Sequence, residues 1–310
     1  MRGRFAPSPT GYIHLGNVWS AFLAWLQVRQ AGGTLVLRIE DIDEQRSKVV
    51  YTKALMEDLS WLGLTWDEGP DVGGPYGPYI QQERYDHYEK ALEELREKGT
   101  ALSLLPAAGR GFRPSGAPHA GEHTVYDGHC YGLGEAERRR MTKKPSWRIH
   151  VPDETVYFTD GVYGKQAGNL PHGCGDFVVR RADDMYAYQL AVSVDDGAMA
   201  ITHVLRGEDL LSSTGQQIWL MKILGYDAPH YTHVPMLIDS DGNRLSKRQK
   251  GITVRALRQD GIDAETILSH LAYAGGLVPE RRRYSRAELV ALCDLRKMHT
   301  EPIVITGTMK

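Results

Sequence analysis

The chain has 310 residues, of which 42% are hydrophobic and 25% are charged. This length and composition are typical of a globular protein with more than one structural unit. The formal net charge of −2 excludes a globally basic protein, although a local basic face could still bind nucleic acid. The three cysteines are widely spaced, which excludes a disulfide framework, and neither a membrane span nor a secretory leader is visible. We therefore expect a cytoplasmic protein.

The first predicted element is a loop that leads into a helix. Prolines and glycines interrupt the chain up to Gly11, whereas apolar residues recur at helical spacing from Val18 onward. Residues 14–17, with the sequence His-Leu-Gly-Asn, therefore lie at the start of the helix. A helix N-terminus presents unpaired backbone N–H groups, and Gly16 would let an anion approach them. These residues favour a phosphate site and an ordinary helix cap formed by His14 and Asn17 equally.

A buried strand is predicted next, over residues 34–39. Together with the preceding helix, it is typical of the start of a βαβ unit. The strand ends at Glu40, in the acidic sequence Glu-Asp-Ile-Asp. Because ligands of open α/β sheets bind at the carboxyl ends of the strands, we interpret Glu40 as a binding residue. The alternative is a solvated acidic turn.

The rest of the chain predicts two helices near residues 55–62 and 83–99, then a segment rich in helix breakers from Pro106 that favours a long loop or insertion. Short strands are predicted over 176–181, 201–205 and 234–238, with a turn at 239–243 and helices beyond it. The expected fold is α/β, with a Rossmann-type parallel sheet core, an irregular α+β insertion and a small C-terminal helical region. The expected boundaries are 1–105 and 176–250 for the two halves of the catalytic domain, 106–175 for the insertion, and 251–310 for the helical region.

A polar and basic loop at residues 245–248, Leu-Ser-Lys-Arg, follows the predicted turn and could bind a polyphosphate through Lys247. Five segments in order resemble the glutamyl branch of the class I aminoacyl-tRNA synthetases: RFAPSPTGYIHLGN, RIEDID, YQLAVSVDD, VLRGEDL and RLSKRQKGIT. Within them, HLGN is similar to the HIGH motif of that family and RLSKR to its KMSKS motif. The resemblance implies a Rossmann-type catalytic core that binds ATP.

Only about sixty residues follow the KMSKS-like loop, too few for the helical anticodon-binding region of full glutamyl-tRNA synthetases. The chain instead resembles the shorter glutamyl-queuosine tRNA(Asp) synthetases, with which it shares RFAPSP and YDGHC. That resemblance implies activation of L-glutamate with ATP and transfer to the queuosine base in the anticodon loop of tRNA(Asp). Two alternatives are a truncated enzyme that charges a tRNA 3′ end, and a non-catalytic paralogue that binds tRNA or regulates.

The resemblance also implies which residues bind the substrates. Glutamate needs arginines for its carboxylates and an acid for its ammonium group. The family's glutamate-binding positions correspond here to Arg4, Ser8, Glu40, Tyr188 and Arg206. Glu40 is the expected ammonium partner and the two arginines are the expected carboxylate partners. From the sequence alone, Tyr188 could equally be a core aromatic.

The expected ATP-binding residues are His14, Gly16, Asn17, Ser246 and Lys247, of which His14, Asn17 and Lys247 are the expected catalytic residues. The carboxylate of glutamate is already a nucleophile, so no side chain need act as a base. Mg²⁺ is expected to accompany ATP, without a dedicated site in the sequence.

The sequence departs from the family at its zinc site. Family members often bind zinc through a C-x-C pair and through the Tyr and Cys of a Y-x3-C motif. Tyr126 and Cys130 are present, but Ser103 and Leu105 stand where the Cys pair is expected. Leucine cannot ligate zinc and serine is a poor ligand, so we predict that zinc is absent. Nearby histidines leave a rebuilt site as the alternative.

Overall fold

The computed structural model describes residues 1–104, 144–245 and 253–305, apart from the side chains of residues 103 and 104. The helices in these ranges are α1 (Leu15–Gln30), α2 (Val49–Leu62), α3 (Tyr85–Glu97), α4 (Leu170–Gly173), α5 (Tyr188–Ala198), α6 (Thr214–Ile223), α7 (Val254–Gln259), α8 (Ala264–Ala274) and α9 (Arg286–Leu292). The strands are β1 (Arg2–Phe5), β2 (Thr34–Leu37), β3 (Ala101–Leu104), β4 (Ser146–Ile149), β5 (Thr155–Asp160), β6 (Gly164–Asn169), β7 (Phe177–Arg180), β8 (His203–Gly207), β9 (His230–Val234), β10 (Leu237–Ile238) and β11 (Ile303–Val304). Short 3₁₀ turns lie at Gln81–Arg84, Glu208–Ser213 and Leu295–Lys297.

The central sheet is parallel and has the strand order β2-β1-β8-β9. The chain passes from β1 through α1 to β2 on one side, and from β8 through α6 to β9 on the other. The two neighbouring strands β1 and β8 therefore send the chain in opposite directions. Such a switch point leaves a crevice outside their carboxyl ends, where open α/β sheets bind ligands. The Rossmann-type core predicted from the sequence is confirmed.

Helix α1 is the main packing element of this core. Its side chains are buried nearly all round the helix, among them Val18, Phe22 and Leu26, each essentially inaccessible to solvent. A helix with so little exposed surface must be covered by other elements, and α1 contacts β1, β2, β8 and α9. Burying each large apolar side chain stabilises the fold by about 1.5–3 kcal/mol. The same packing fixes the N-terminus of α1 against the switch point.

A second region is antiparallel. Strand β4 pairs with both β3 and β7, and β5 pairs with β6 as a hairpin that turns at Gly161. The Gly161 N–H donates to the carbonyl of Tyr231 in β9, at an N···O distance of 2.9 Å. A Cβ atom on Gly161 would lie 2.6 Å from the hydroxyl oxygen of Thr232, so this close approach requires glycine. The hairpin turn is therefore attached directly to the edge of the parallel sheet.

The strand predicted over residues 234–238 is wrong in its bounds. Strand β9 starts earlier, at His230, and ends at Val234, because Pro235 has no N–H to continue the ladder. Leu237 and Ile238 form β10 and pair with β11. The turn at 239–243 is present, and Gly242 adopts φ +78° there. Among the described helices, none is both long and apolar enough to cross a bilayer.

Candidate active site

A cavity of about 700 Å³ opens at the carboxyl ends of β1 and β8. It is lined by every predicted substrate-binding residue within the described ranges, namely Arg4, Ser8, His14, Gly16, Asn17, Glu40, Tyr188 and Arg206. Ser246 and Lys247 lie outside the described residues. The parallel sheet thus brings together residues that are more than two hundred positions apart in the chain.

One end of the cavity is formed by the start of α1. His14 is the cap residue, and its Nδ1 accepts a hydrogen bond from the Gly16 N–H at 3.2 Å. The Asn17 side-chain oxygen accepts from the His14 N–H at 3.3 Å, which completes a capping box. A Cβ atom on Gly16 would lie 3.1 Å from the His14 ring and crowd it. His14 and Asn17 therefore do cap the helix, and both still line the cavity.

The residues that flank the Lys247 segment lie against this junction. Thr253, directly after residues 246–252, forms a β-bridge with His14. Leu245, directly before them, has its carbonyl oxygen 3.8 Å from a Cβ atom built on Gly16. The two sequence elements that resemble the HIGH and KMSKS motifs are therefore neighbours at their described ends.

The other end of the cavity is a buried network of charges. The guanidinium of Arg38 donates to Glu40 at 2.9 Å and to Asp196 at 2.7 Å. The Nε atom of Arg4 lies 3.4 Å from the same Asp196 carboxylate. Glu40 is only 6% exposed, so the interpretation as a solvated acidic turn is wrong. Buried charges of this kind require partners, because desolvating an unpaired ion is costly.

The carboxyl groups of Glu40 and Asp196 have pKa values shifted in opposite directions. Burial raises the pKa of Glu40 above its ordinary value, and the nearby Arg38 and Arg4 oppose this shift only in part. Burial acts in the same direction on Asp196, but there Arg38 and Arg4 outweigh it and lower the pKa. Asp196 is thus a fixed anion that balances the arginines. Glu40 is less fully compensated and can be stabilised as an anion by a ligand cation.

The two predicted carboxylate partners differ in the donors that they still offer. Arg206 donates to His233, Gln217, Thr214 and the carbonyl of Leu210, which occupies four of its five N–H groups. Among the described residues, Arg4 makes a single hydrogen bond, from Nη1 to the carbonyl of Leu205, while its buried Nε faces Asp196 at 3.4 Å. Arg4 therefore has more donors available for a bidentate contact with a carboxylate.

Tyr188 opens α5 and lines the cavity. Burial raises the pKa of its hydroxyl, which therefore stays protonated at neutral pH. That hydroxyl makes no hydrogen bond to another described residue. This favours a ligand contact over the interpretation as a core aromatic. Ser8 is exposed on the loop after β1, at the cavity wall.

The residues that hold this site in place were not predicted from the sequence. Asp195, fully buried in α5, accepts from Arg84 at 2.6 Å and from the Tyr88 hydroxyl at 3.0 Å. It also lies 3.6 Å from Arg38. The adjacent acids Asp195 and Asp196, at the end of an apolar run, were the available signal, since such charges need buried partners. The identity of those partners depends on contacts across more than a hundred residues.

The predicted absence of zinc is not tested by the structure. Leu105, Tyr126 and Cys130 lie outside the described residues, and only the backbone of Ser103 is described, in β3. Over residues 1–104, 144–245 and 253–305, no three His, Cys, Asp or Glu side chains are grouped closely enough to hold a metal ion.

Comparisons with known proteins identify relatives of this chain. Residues 1–302 match the family model of the class I tRNA synthetases (E and Q), catalytic domain. A glutamyl-Q tRNA(Asp) synthetase from Symbiobacterium thermophilum is 46% identical over 98% of this chain and 95% of its own length. One from Nitratidesulfovibrio vulgaris is 45% identical with the same coverage.

Longer relatives match over part of their length. A glutamate–tRNA ligase from Sulfurihydrogenibium is 39% identical over 99% of this chain but 65% of its own length. The crystal structure of a glutamate tRNA ligase from Elizabethkingia meningosepticum, in complex with its amino acid, superposes with a TM-score of 0.84 at 28% identity. It aligns with 99% of this chain and 67% of that one. The chain therefore belongs to the class I aminoacyl-tRNA synthetases, in the group of the glutamate and glutamine enzymes.

Proposed function

We propose that this chain activates L-glutamate with ATP to glutamyl-adenylate and transfers the glutamyl group to the queuosine base in the anticodon loop of tRNA(Asp). The proposed activation of glutamate rests on one observation, the buried network of charges at the base of the cavity. There, Glu40 and the arginines Arg4 and Arg206 surround one space. Glutamate offers one ammonium group and two carboxylates, which complement a carboxylate and two guanidinium groups.

In this proposal Glu40 binds the ammonium group and Arg4 takes a carboxylate through its free donors. Arg206 contributes a fixed positive charge and one remaining N–H group. Tyr188 and Ser8 supply hydroxyls at the cavity wall. Because the arginines and the carboxylates already hold each other in place, little ordering is needed when the amino acid binds.

Activation needs a carboxylate oxygen of glutamate to attack the α-phosphorus of ATP, with pyrophosphate as the leaving group. The nucleophile is already ionised, so catalysis consists of alignment and stabilisation of charge on the phosphates. The positive end of α1, with His14 and Asn17, lies beside the cavity for this purpose. Lys247 is proposed to add the mobile positive charge at the pyrophosphate.

Mg²⁺ would enter with the phosphates of ATP and neutralise part of their charge. The described residues offer no group of three acidic or histidine side chains for it. We therefore assign no residue to the metal.

The proposed acceptor is supported by the relatives. The chain matches proteins named glutamyl-Q tRNA(Asp) synthetase at 45–46% identity across 95% of their length. The match to a glutamate–tRNA ligase is weaker in identity, at 39%, and spans 65% of that protein. Transfer to the queuosine base is therefore favoured over transfer to a tRNA 3′ end.

The decisive experiment offers radiolabelled glutamate and ATP to tRNA(Asp) with queuosine and to the same tRNA without it. We expect label only on the queuosine-containing tRNA. Equal labelling of both would refute the proposed acceptor. A queuosine-containing tRNA(Asp) that lacks its 3′-terminal adenosine should accept glutamate as well as the intact tRNA does. Loss of labelling with that tRNA would favour the enzyme that charges a 3′ end.

The non-catalytic alternative is tested by ATP–pyrophosphate exchange. We expect exchange that depends on glutamate and needs no tRNA. Absence of exchange, with and without tRNA, would favour a paralogue that only binds tRNA.

A further inference from the structure

We infer that His233 and Asp160 are positioning residues for the amino-acid site, because a relay from Asp160 through His233 holds the Arg206 guanidinium against the cavity. The inference deepens the proposed function and rests on it. It assigns a role to the β5–β6 hairpin, which no predicted site residue occupies. Asp160 ends β5, His233 lies in β9, and Arg206 lies in β8.

The contacts form a continuous chain. The carboxylate of Asp160 lies 2.7 Å from His233 Nδ1, and the Nε–H of Arg206 points at His233 Nε2 over 3.0 Å. The His233 backbone N–H also donates to Asp160, at 3.0 Å. Each of these three side chains is at most 4% exposed. Water therefore cannot replace a lost partner without opening the core.

The hydrogen bonds fix the tautomer of the histidine. A guanidinium can only donate, so His233 Nε2 must present its lone pair to Arg206. The proton of the neutral ring is then on Nδ1, where it is donated to the Asp160 carboxylate. Burial lowers the pKa of His233 to about 4, although its hydrogen bond to Asp160 opposes this shift. At neutral pH the ring is uncharged and keeps the acceptor that Arg206 requires.

Asp160 is itself held by the hairpin turn. Its second oxygen accepts from the backbone N–H groups of Val162 and Tyr163, at 3.0 Å and 2.9 Å. This turn is also hydrogen-bonded to β9 through the Gly161 N–H. The carboxylate cannot move without breaking the turn. The hairpin therefore holds Arg206 in place through the imidazole ring of His233.

The guanidinium is fixed in its plane by further acceptors. Gln217 accepts from Nη1 at 2.7 Å and Thr214 accepts from Nη2 at 2.8 Å. His233 accepts from the Nε of Arg206, and this third contact fixes the orientation of the guanidinium. Among the described contacts one Nη1 hydrogen remains for a ligand. Loss of the His233 acceptor would leave the buried Nε–H unpaired, so the guanidinium would shift toward another partner and misdirect that hydrogen.

A pair of amide variants separates the two halves of the relay. His233→Gln places an amide oxygen near the former Nε2 and can still accept from Arg206. His233→Asn is shorter, reaches only toward Asp160, and leaves the Arg206 Nε–H without an acceptor. In ATP–pyrophosphate exchange, we expect His233→Asn to raise the KM for glutamate about tenfold or more, from the loss of a buried charged hydrogen bond. His233→Gln should stay within about threefold of the unmodified protein. The KM for ATP should be unchanged in both.

Asp160→Asn tests the tautomer. An amide NH₂ facing Nδ1 would favour the other tautomer, with an N–H directed at the N–H of Arg206. We expect a raised KM for glutamate here too. Tyr157→Ala, an exposed position on the same hairpin, is the matched control and should change neither KM.

A purely structural role predicts a different pattern. It would lower the active fraction, counted by adenylate formed per chain, and the thermal midpoint of both His233 variants, with both KM values unchanged. That result, or equal KM values for glutamate in His233→Asn and His233→Gln, would overturn the inference. If the unmodified protein shows no glutamate-dependent exchange, the proposed function fails instead, so the two failures are distinguishable.

Discussion

The two ends of the cavity are built in different ways. The proposed amino-acid end consists of charged side chains that are almost inaccessible to solvent and paired with one another, such as Arg38 with Glu40 and Asp196. The proposed nucleotide end consists of a helix terminus, with His14 and Asn17 only partly buried. The first end is held by the core and the second by local capping.

Because of this difference, we expect one end to select the amino acid and the other end to align the phosphates of ATP. A buried set of charges can discriminate one amino acid, because an imperfect ligand leaves a desolvated charge unpaired. A helix terminus recognises phosphate through backbone N–H groups and is less selective. Changes at the amino-acid end should therefore affect stability and the KM for glutamate. Changes at the nucleotide end should affect the rate of activation and the KM for ATP.

The largest effect is expected from Arg38→Ala. It leaves the carboxylates of Glu40 and Asp196 without their shared partner, and breaking a buried ion pair costs about 3–5 kcal/mol. Urea unfolding followed by circular dichroism measures this loss. Arg296→Ala is the control, because that side chain is 90% exposed and its only ion pair with a described residue is to Asp294, so it should leave the unfolding free energy nearly unchanged. A similar loss of unfolding free energy in both variants would contradict the conclusion that the buried network stabilises the fold.

Lys247→Ala should slow activation without affecting the core. Removing one group that stabilises charge in the transition state typically lowers the rate about 100-fold. We expect this fall in kcat for ATP–pyrophosphate exchange, with little change in the KM for glutamate or in the unfolding midpoint. An unchanged kcat would remove the proposed role of Lys247.

Glu40→Gln should weaken the binding of glutamate. A hydrogen bond to a charged group contributes about 1.5–3 kcal/mol, which corresponds to a rise of about 10- to 100-fold in the KM for glutamate. The KM for ATP should not change. Glu97→Gln, on the exposed end of α3, neutralises a carboxylate away from the cavity and serves as the control. A KM for ATP that rises in parallel would mean that the two ends are not separate.

The same residue gives a prediction about pH. The pKa of Glu40 lies above its ordinary value because the residue is buried. As the pH falls through that pKa, the carboxyl is protonated and loses the negative charge that is proposed to bind the ammonium group. The kcat/KM for glutamate should therefore decline on the acid side, and this decline should be absent from the pH profile of Glu40→Gln. A profile identical in both proteins would assign the decline to the substrate or to another group.

The smallest effect is expected from Asn17→Ala. This change removes the oxygen that accepts from the His14 N–H but leaves the His14 cap in place, and one such hydrogen bond contributes about 1 kcal/mol. We expect a rise of a few-fold in the KM for ATP and an unchanged KM for glutamate. A larger change for glutamate than for ATP would contradict the separation of the two ends.

The sequence by itself determined the features that depend on near neighbours in the chain. The start of α1 at His14 and the end of α2 at Gly63, which adopts φ +74°, follow from capping chemistry and helical periodicity. The buried strand before Glu40 follows from its apolar run. The motif order also indicated the family and the residues that line the cavity. The assignment of Lys247 to ATP and the absence of zinc remain predictions.

Only the tertiary structure decided which charges meet. Arg38 and Asp196 are 158 residues apart, and His233 and Asp160 are 73 apart, yet both pairs are in direct contact. Strand β9 carries little apolar periodicity, so the sequence placed a strand too far along the chain, at 234–238. The packing of the sheet determines which buried charges are in contact, because it brings strands that are distant in the sequence to one edge. A local pattern can show that a buried charge needs a partner, but the fold selects the partner.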